Sequence, residues 1–148
     1  MKRTFILALL FIIIGSVCGY IFKDYGVAAM EVFAPGNSVY FLQEGSYSNM
    51  DSIPSKLDDI RGKLIVEEDN KFNVYLGITL DVNNANLIVD MYKALGINLI
   101  VKESNIVNES FLSNVEQFDI LVRESDDYED VSTIQEVILA NYEEIFSL

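Results

Sequence analysis

Between Val39 and Lys102 the chain carries one pattern of apolar and polar positions twice. Each copy opens with a segment of period two, the spacing that sends alternate side chains to opposite faces of a strand. In the first copy this is Tyr40-Phe41-Leu42-Gln43-Glu44-Gly45, and in the second Phe72-Asn73-Val74-Tyr75-Leu76-Gly77. A polar turn follows, then apolar residues at helical spacing, then a short apolar strand, Leu64-Ile65-Val66 or Leu99-Ile100-Val101. The opening strands lie 32 positions apart and the closing triplets 35. Two copies are too few for an array, so the pattern predicts one βαββαβ domain with internal pseudo-symmetry.

Taken in order, residues 39–45 form the first strand. Ile53, Leu57 and Ile60 then predict a helix that Asn49 or Ser52 caps, with Pro54 in its first turn and Gly62 at its end. Residues 63–67 form the second strand, Asp69-Asn70-Lys71 a tight hairpin, and residues 72–80 the third strand. Asp81 or Asn83 caps a longer helix whose stripe is Leu87, Ile88, Met91, Tyr92 and Leu95; Gly96 closes it, and residues 97–102 form the fourth strand. The fold class is therefore α+β, a two-layer sandwich of ferredoxin-like build, with a four-stranded antiparallel sheet and two helices on one face. Tyr40, Leu42, Phe72, Val74 and Leu76 point to the helices. Phe41, Gln43, Asn73 and Tyr75 point to the open face, together with Ile65 and Ile100.

Two further amphipathic patterns follow. Phe111, Leu112, Val115, Phe118, Leu121 and Val122 make the first stripe, and Val131, Ile134, Val137, Ile138, Tyr142 and Ile145 the second, separated by an acidic link over residues 124–130. Helices this apolar on one side must pack on the domain, on each other or on a partner.

At the other end, Thr4 to Phe22 is 19 residues without a charge, about 28 Å as a helix, enough to span a bilayer. Lys2 and Arg3 precede it, which places the N-terminus in the cytoplasm and the rest of the chain outside. The organisation is thus a single-pass anchor (1–23), a tether (24–38), the repeat domain (39–104) and an acidic helical extension (105–148). A cleaved signal peptide and a lipidated Cys18 fit the segment less well: the apolar run is long, the nearest small-residue site, Val27-Ala28-Ala29, lies past Lys23 and Asp24, and Gly15-Ser16-Val17 matches a lipoprotein box poorly.

Charge and chemistry narrow the function classes. The net charge is −13, with residues 105–148 holding eleven acids against Arg123 alone. A nucleic-acid role needs a basic stripe, and anionic lipid headgroups need basic residues too; neither partner is expected. The chain has no His, and its single Cys18 lies in the anchor. That removes disulfides, the common zinc sites, imidazole bases and thiol nucleophiles, so no enzyme, metal or cofactor is expected. The groups Asp58-Asp59, Glu67-Glu68-Asp69 and Asp126-Asp127 read as solvated charge, because adjacent carboxylates point apart on a strand or helix.

The run Tyr40-Phe41-Leu42-Gln43-Glu44-Gly45-Ser46-Tyr47-Ser48-Asn49 resembles the opening of a SPOR (sporulation-related repeat) domain, in which an aromatic alternating strand passes through Gln-x-Gly to Ser and an aromatic residue. Phe72-Asn73-Val74-Tyr75-Leu76-Gly77 resembles the third strand of that family. The resemblance covers residues 39–102, and Glu44, Asn73 and Ile78-Thr79 depart from the family's usual residues. It implies a bacterial, membrane-anchored protein of the cell envelope that binds peptidoglycan glycan strands at division or sporulation septa. The implied glycan-binding residues are Gln43, Ser46 and Tyr47, with Tyr75, Asn73 and Phe41 beside them on the sheet. Amide and hydroxyl groups suit sugar hydroxyls, and tyrosine offers an apolar face with a polar tip. The alternative is an envelope assembly component whose own C-terminal helices cover the sheet face, with a protein partner for the acidic tail. The position of those helices relative to Phe41, Gln43 and Tyr75 separates the two.

Overall fold

A computed structural model describes residues 38–146. The anchor and all but the last residue of the tether lie outside that range; among the described residues no helix is long and apolar enough to cross a membrane. The fold is α+β. Four strands, β1 (Ser38–Tyr47), β2 (Leu64–Glu68), β3 (Lys71–Thr79) and β4 (Ile100–Asn105), form one sheet in the order β2-β3-β1-β4. Every neighbouring pair is antiparallel. Three α-helices join it: α1 (Val82–Ala94), α2 (Glu109–Glu124) and α3 (Tyr128–Phe146).

Local chemistry accounts for most boundaries. Asp69 and Asn70 both take positive φ, 53° and 59°, the two-residue turn that β2 and β3 need. Asp81 caps α1 by accepting from the Asn83 amide, and Asn108 caps α2 by accepting from the Phe111 amide. The expected first helix does not form. Residues 50–57 contain two 3-10 turns instead, Met50–Ser52, capped by Asn49, and Ser55–Leu57. Pro54 separates them, because the residue before a proline avoids helical backbone and Ile53 sits at ψ 126°. The fourth strand also starts three residues later than residue 97.

Strands β1 to β3 are covered on both faces, while β4 is exposed throughout, Ile100 included, so the two-layer arrangement with one open face is corrected to three layers. Leu42, Leu57, Val74, Leu76, Ile88 and Tyr92 form the core under α1. Val39, Phe41, Leu64, Ile78, Phe111 and Ile138 form a second core under the α2–α3 hairpin. Ile65 belongs to the first core, opposite the face expected, since it pairs with Val74 in register.

The hairpin clasps one edge of the sheet. β2 pairs with β3 only up to Tyr75, which leaves the end of β3 unpaired on that side. The backbone amide of Ile78 there donates to Gln135 of α3 at 2.8 Å, and that of Leu80 to Asp119 of α2 at 2.8 Å. Gly77 keeps the approach open: a Cβ on it would lie 2.9 Å from Leu42 Cδ1 and 3.1 Å from Gln135 Oε1. From this edge the turn of the hairpin reaches the first core, where Val122 and Val131 are buried and the Tyr128 and Tyr92 rings meet edge-on at 5.5 Å.

Gly62 fixes the same docking. A Cβ there would stand 2.7 Å from Glu136 Cα and 2.9 Å from its nitrogen, backbone atoms of α3 that cannot rotate away. Gly62→Ala is expected to destabilise the fold by about 1–3 kcal/mol through overpacking. The urea midpoint followed by circular dichroism measures it, and an unchanged midpoint would contradict this packing.

Candidate functional site on the sheet face

The six residues expected to bind glycan divide between the two faces. Two register shifts, between Leu42 and Gln43 and between Gln43 and Gly45, reset the alternation of β1. As a result Gln43 stands opposite Tyr75, Ser46 opposite Asn73, and Tyr47 opposite Phe72. Phe41, Gln43, Ser46, Asn73 and Tyr75 therefore share the face that carries the hairpin. Tyr47 turns to the other face and packs against the α1 core.

Tyr47 is occupied there. Its hydroxyl donates to Glu44, whose side chain also pairs with Lys56 at 3.6 Å. Burial, and then the bond to Glu44, push the Tyr47 hydroxyl up to about 12. Glu44 thus has a local role: it holds Tyr47 and Lys56 together.

On the hairpin face, Gln43 is 3% exposed and Asn73 8%. The Gln43 amide nitrogen donates to Asn73 Oδ1 and to the Gly45 carbonyl, both at 3.0 Å, which commits both of its hydrogens within the protein. Phe41 is 7% exposed. Its ring meets Tyr75 edge-on at 5.5 Å and Tyr142 of α3 at 5.3 Å. Phe111 of α2 completes the cluster, 5.4 Å from Tyr142. Of the six residues only Ser46 is exposed.

No protein-family model matches this chain, and no curated protein or solved structure is significantly similar to it. The site is therefore read from its own geometry.

Part of the face remains accessible. Beside the Tyr142 ring a cleft of about 500 Å³ is lined by Phe41, Val66, Glu68, Tyr75, Lys102 and Ser104, among others. Burial, and then the Glu68 carboxylate, raise the hydroxyl pKa of both Tyr75 and Tyr142, so these remain neutral donors. The cleft offers aromatic faces, hydroxyls and charges of both signs. Among the described residues no cluster of three or more His, Cys, Asp or Glu could hold a metal ion.

Sequence reasoning missed the polar groups that seat the hairpin. Asp119 is 3% exposed. It accepts from the Thr79 hydroxyl, the Leu80 amide and, at 3.1 Å, the Asn84 side chain, which also reaches its carbonyl at 2.9 Å. Gln135 is fully buried. The signal was present: Asp119 interrupts the buried stripe Phe111, Val115, Val122, and Gln135 the stripe Val131, Ile138.

Burial raises the Asp119 pKa, against the lowering pull of the bonds from Thr79, Leu80 and Asn84, while nearby Asp81 adds to the rise. A carboxyl with a raised folded pKa binds its proton more readily folded than unfolded. Between its unfolded value and its folded value, its contribution to stability therefore falls as pH rises. Relative to Asp119→Asn, the wild type is expected to gain stability as pH is lowered through that window. Urea midpoints of both proteins across a pH series check the sign; a difference that is flat or of opposite slope would contradict it.

Proposed function

We propose that this chain is a membrane-anchored assembly component of the bacterial cell envelope, of SPOR-like build, whose sheet face is closed by its own C-terminal hairpin. The domain lies outside the membrane, and it works by binding a protein, without catalysis, cofactor or nucleic acid. The observation that carries this reading is the seat of Phe41 beneath Tyr142, with the Gln43 amide satisfied by Asn73 and Gly45. A glycan strand laid along β1 and β3 would have to displace α3 and break those bonds.

A second reading keeps glycan as the ligand and moves it to the cleft between Glu68 and Lys102. The cleft's tyrosines favour it, because ring faces and hydroxyls are what sugars stack on and bond to. Retention of the full chain on peptidoglycan sacculi, intact and stripped of stem peptides, tests both. The assembly reading expects no retention. Retention abolished by Tyr75→Ala and kept in Gln43→Ala would favour the cleft, and retention lost in Gln43→Ala would restore the family's face and overturn the assembly reading.

A further inference from the structure

The hairpin that closes the sheet has an outer side that no other described element covers. There α2 and α3 leave a groove of about 310 Å³ lined by Asn114, Gln117, Phe118, Leu121, Val137 and Asn141. Leu121 is 47% exposed and Val137 46%, and with Phe118 they give the groove an apolar floor open to solvent. Across the helices the side-chain Nδ2 of Asn114 donates to Oδ1 of Asn141 at 3.3 Å, a polar stop within the groove.

Helical spacing sets what borders this apolar floor. Asp130, Val137, Asn141 and Glu144 fall on one stripe of α3, at i, i+7, i+11 and i+14. Glu124 stands one turn beyond Leu121 on α2. Asp130, Glu144 and Glu124 are all exposed. Residues 105–148 contain eleven acids, of which Asp119 is buried, and Arg123, the one base, is paired with Asp81 at 3.1 Å. The field over the groove is therefore of one sign, and it would resist a second copy of the same surface.

We propose that this groove docks a basic amphipathic helix of a partner protein, an inference that rests on the assembly reading above. Apolar anchors one turn apart would enter between Leu121 and Val137, as a ridge enters the groove between two packed helices, and Lys or Arg on its flanks would face Glu124, Asp130 and Glu144. A helix fits better than an extended strand because the groove offers side chains and no free backbone groups for a strand to pair with. The anchors supply affinity, and the charges supply partner choice and speed of encounter.

The test uses the full chain in zwitterionic nanodiscs and a labelled synthetic peptide of about 18 residues, long enough to hold a helix, with Leu on one stripe and Lys elsewhere. Partition into empty nanodiscs is subtracted. Binding is expected, weakened about tenfold or more by Leu121→Ser with Val137→Ser, since two buried anchors are worth more than about 1.4 kcal/mol. Val82→Ser and Leu95→Ser, at exposed apolar positions on and just after α1, should leave it unchanged. A peptide with Glu in place of Lys should not bind. Equal affinity for all variants would reduce the effect to diffuse charge and overturn the proposal; so would binding of the Glu peptide, no binding at all, or self-association that the groove substitutions abolish. The same preparation is assayed on sacculi: lost peptide binding without sacculus retention sinks this inference alone, whereas Gln43-dependent retention sinks the assembly reading beneath it.

Discussion

A chain ended at Asn105 is expected to lose cooperative unfolding. Removal of α2 and α3 would bring Val39, Phe41, Leu64 and Ile78 into water from at most 7% exposure. At about 1.5–3 kcal/mol for each large apolar side chain, these four cost on the order of 6–12 kcal/mol. The whole stability of a domain of this kind is about 5–15 kcal/mol. The loss also strips the Ile78 and Leu80 amides of their partners. Urea titration by circular dichroism should show a broad, sloping change in place of a single transition. A truncated chain with the wild-type midpoint would mean that the hairpin is an appendage and that the sheet face can be bared at little cost.

The second large effect sits at Asp119. In Asp119→Ala the Leu80 amide and one bond of Asn84 lose their acceptor, and the Thr79 hydroxyl keeps only the long contact to the Asp81 carbonyl at 3.4 Å. A buried donor left without a partner costs about 1–3 kcal/mol, so the expected loss is roughly 3 kcal/mol or more. Asp119→Asn keeps the shape and one acceptor oxygen and should fall between Ala and wild type. Arg123→Ala is the contrast: its pair with Asp81 is exposed, and such pairs contribute about 0–1 kcal/mol. Chemical denaturation of the three variants gives the ranking, and an Asp119→Ala protein no less stable than Arg123→Ala would contradict the clasp.

Much of the fold was legible because periodicity and turn chemistry act locally. The strand alternation around Tyr40 and Phe72, the Asp69-Asn70 turn, the Asp81 cap and the two C-terminal stripes each follow from a few neighbouring residues. The losses have physical causes of longer range. Ile53, Leu57 and Ile60 are buried or half-buried against the first core as their spacing suggests, yet Pro54 breaks the helix that would have carried them. Ile65 changed face because its register is set by Val74, which lies across a hairpin.

The site was less legible than the fold. Its residues are defined by which face they share, and the register shifts around Gln43 place Ser46 with Gln43 while sending Tyr47 away. No count along β1 alone yields that result, since the bulges are made jointly with β3. Nor could spacing say that the hairpin sits on Phe41. The clue was Asp119 and Gln135, polar residues inside apolar stripes, where a buried hydrogen-bond partner is required. Those partners turned out to be the unpaired end of β3.

The closure of the sheet face by the hairpin is tested most directly by nuclear Overhauser effects between the Phe41 and Tyr142 rings, recorded on the full chain before and after addition of stripped glycan fragments. With centroids 5.3 Å apart, the rings should give strong cross-peaks that glycan leaves unchanged. Missing cross-peaks, or cross-peaks that vanish as glycan is added while the Gln43 side-chain amide shifts, would show an open face and contradict the account.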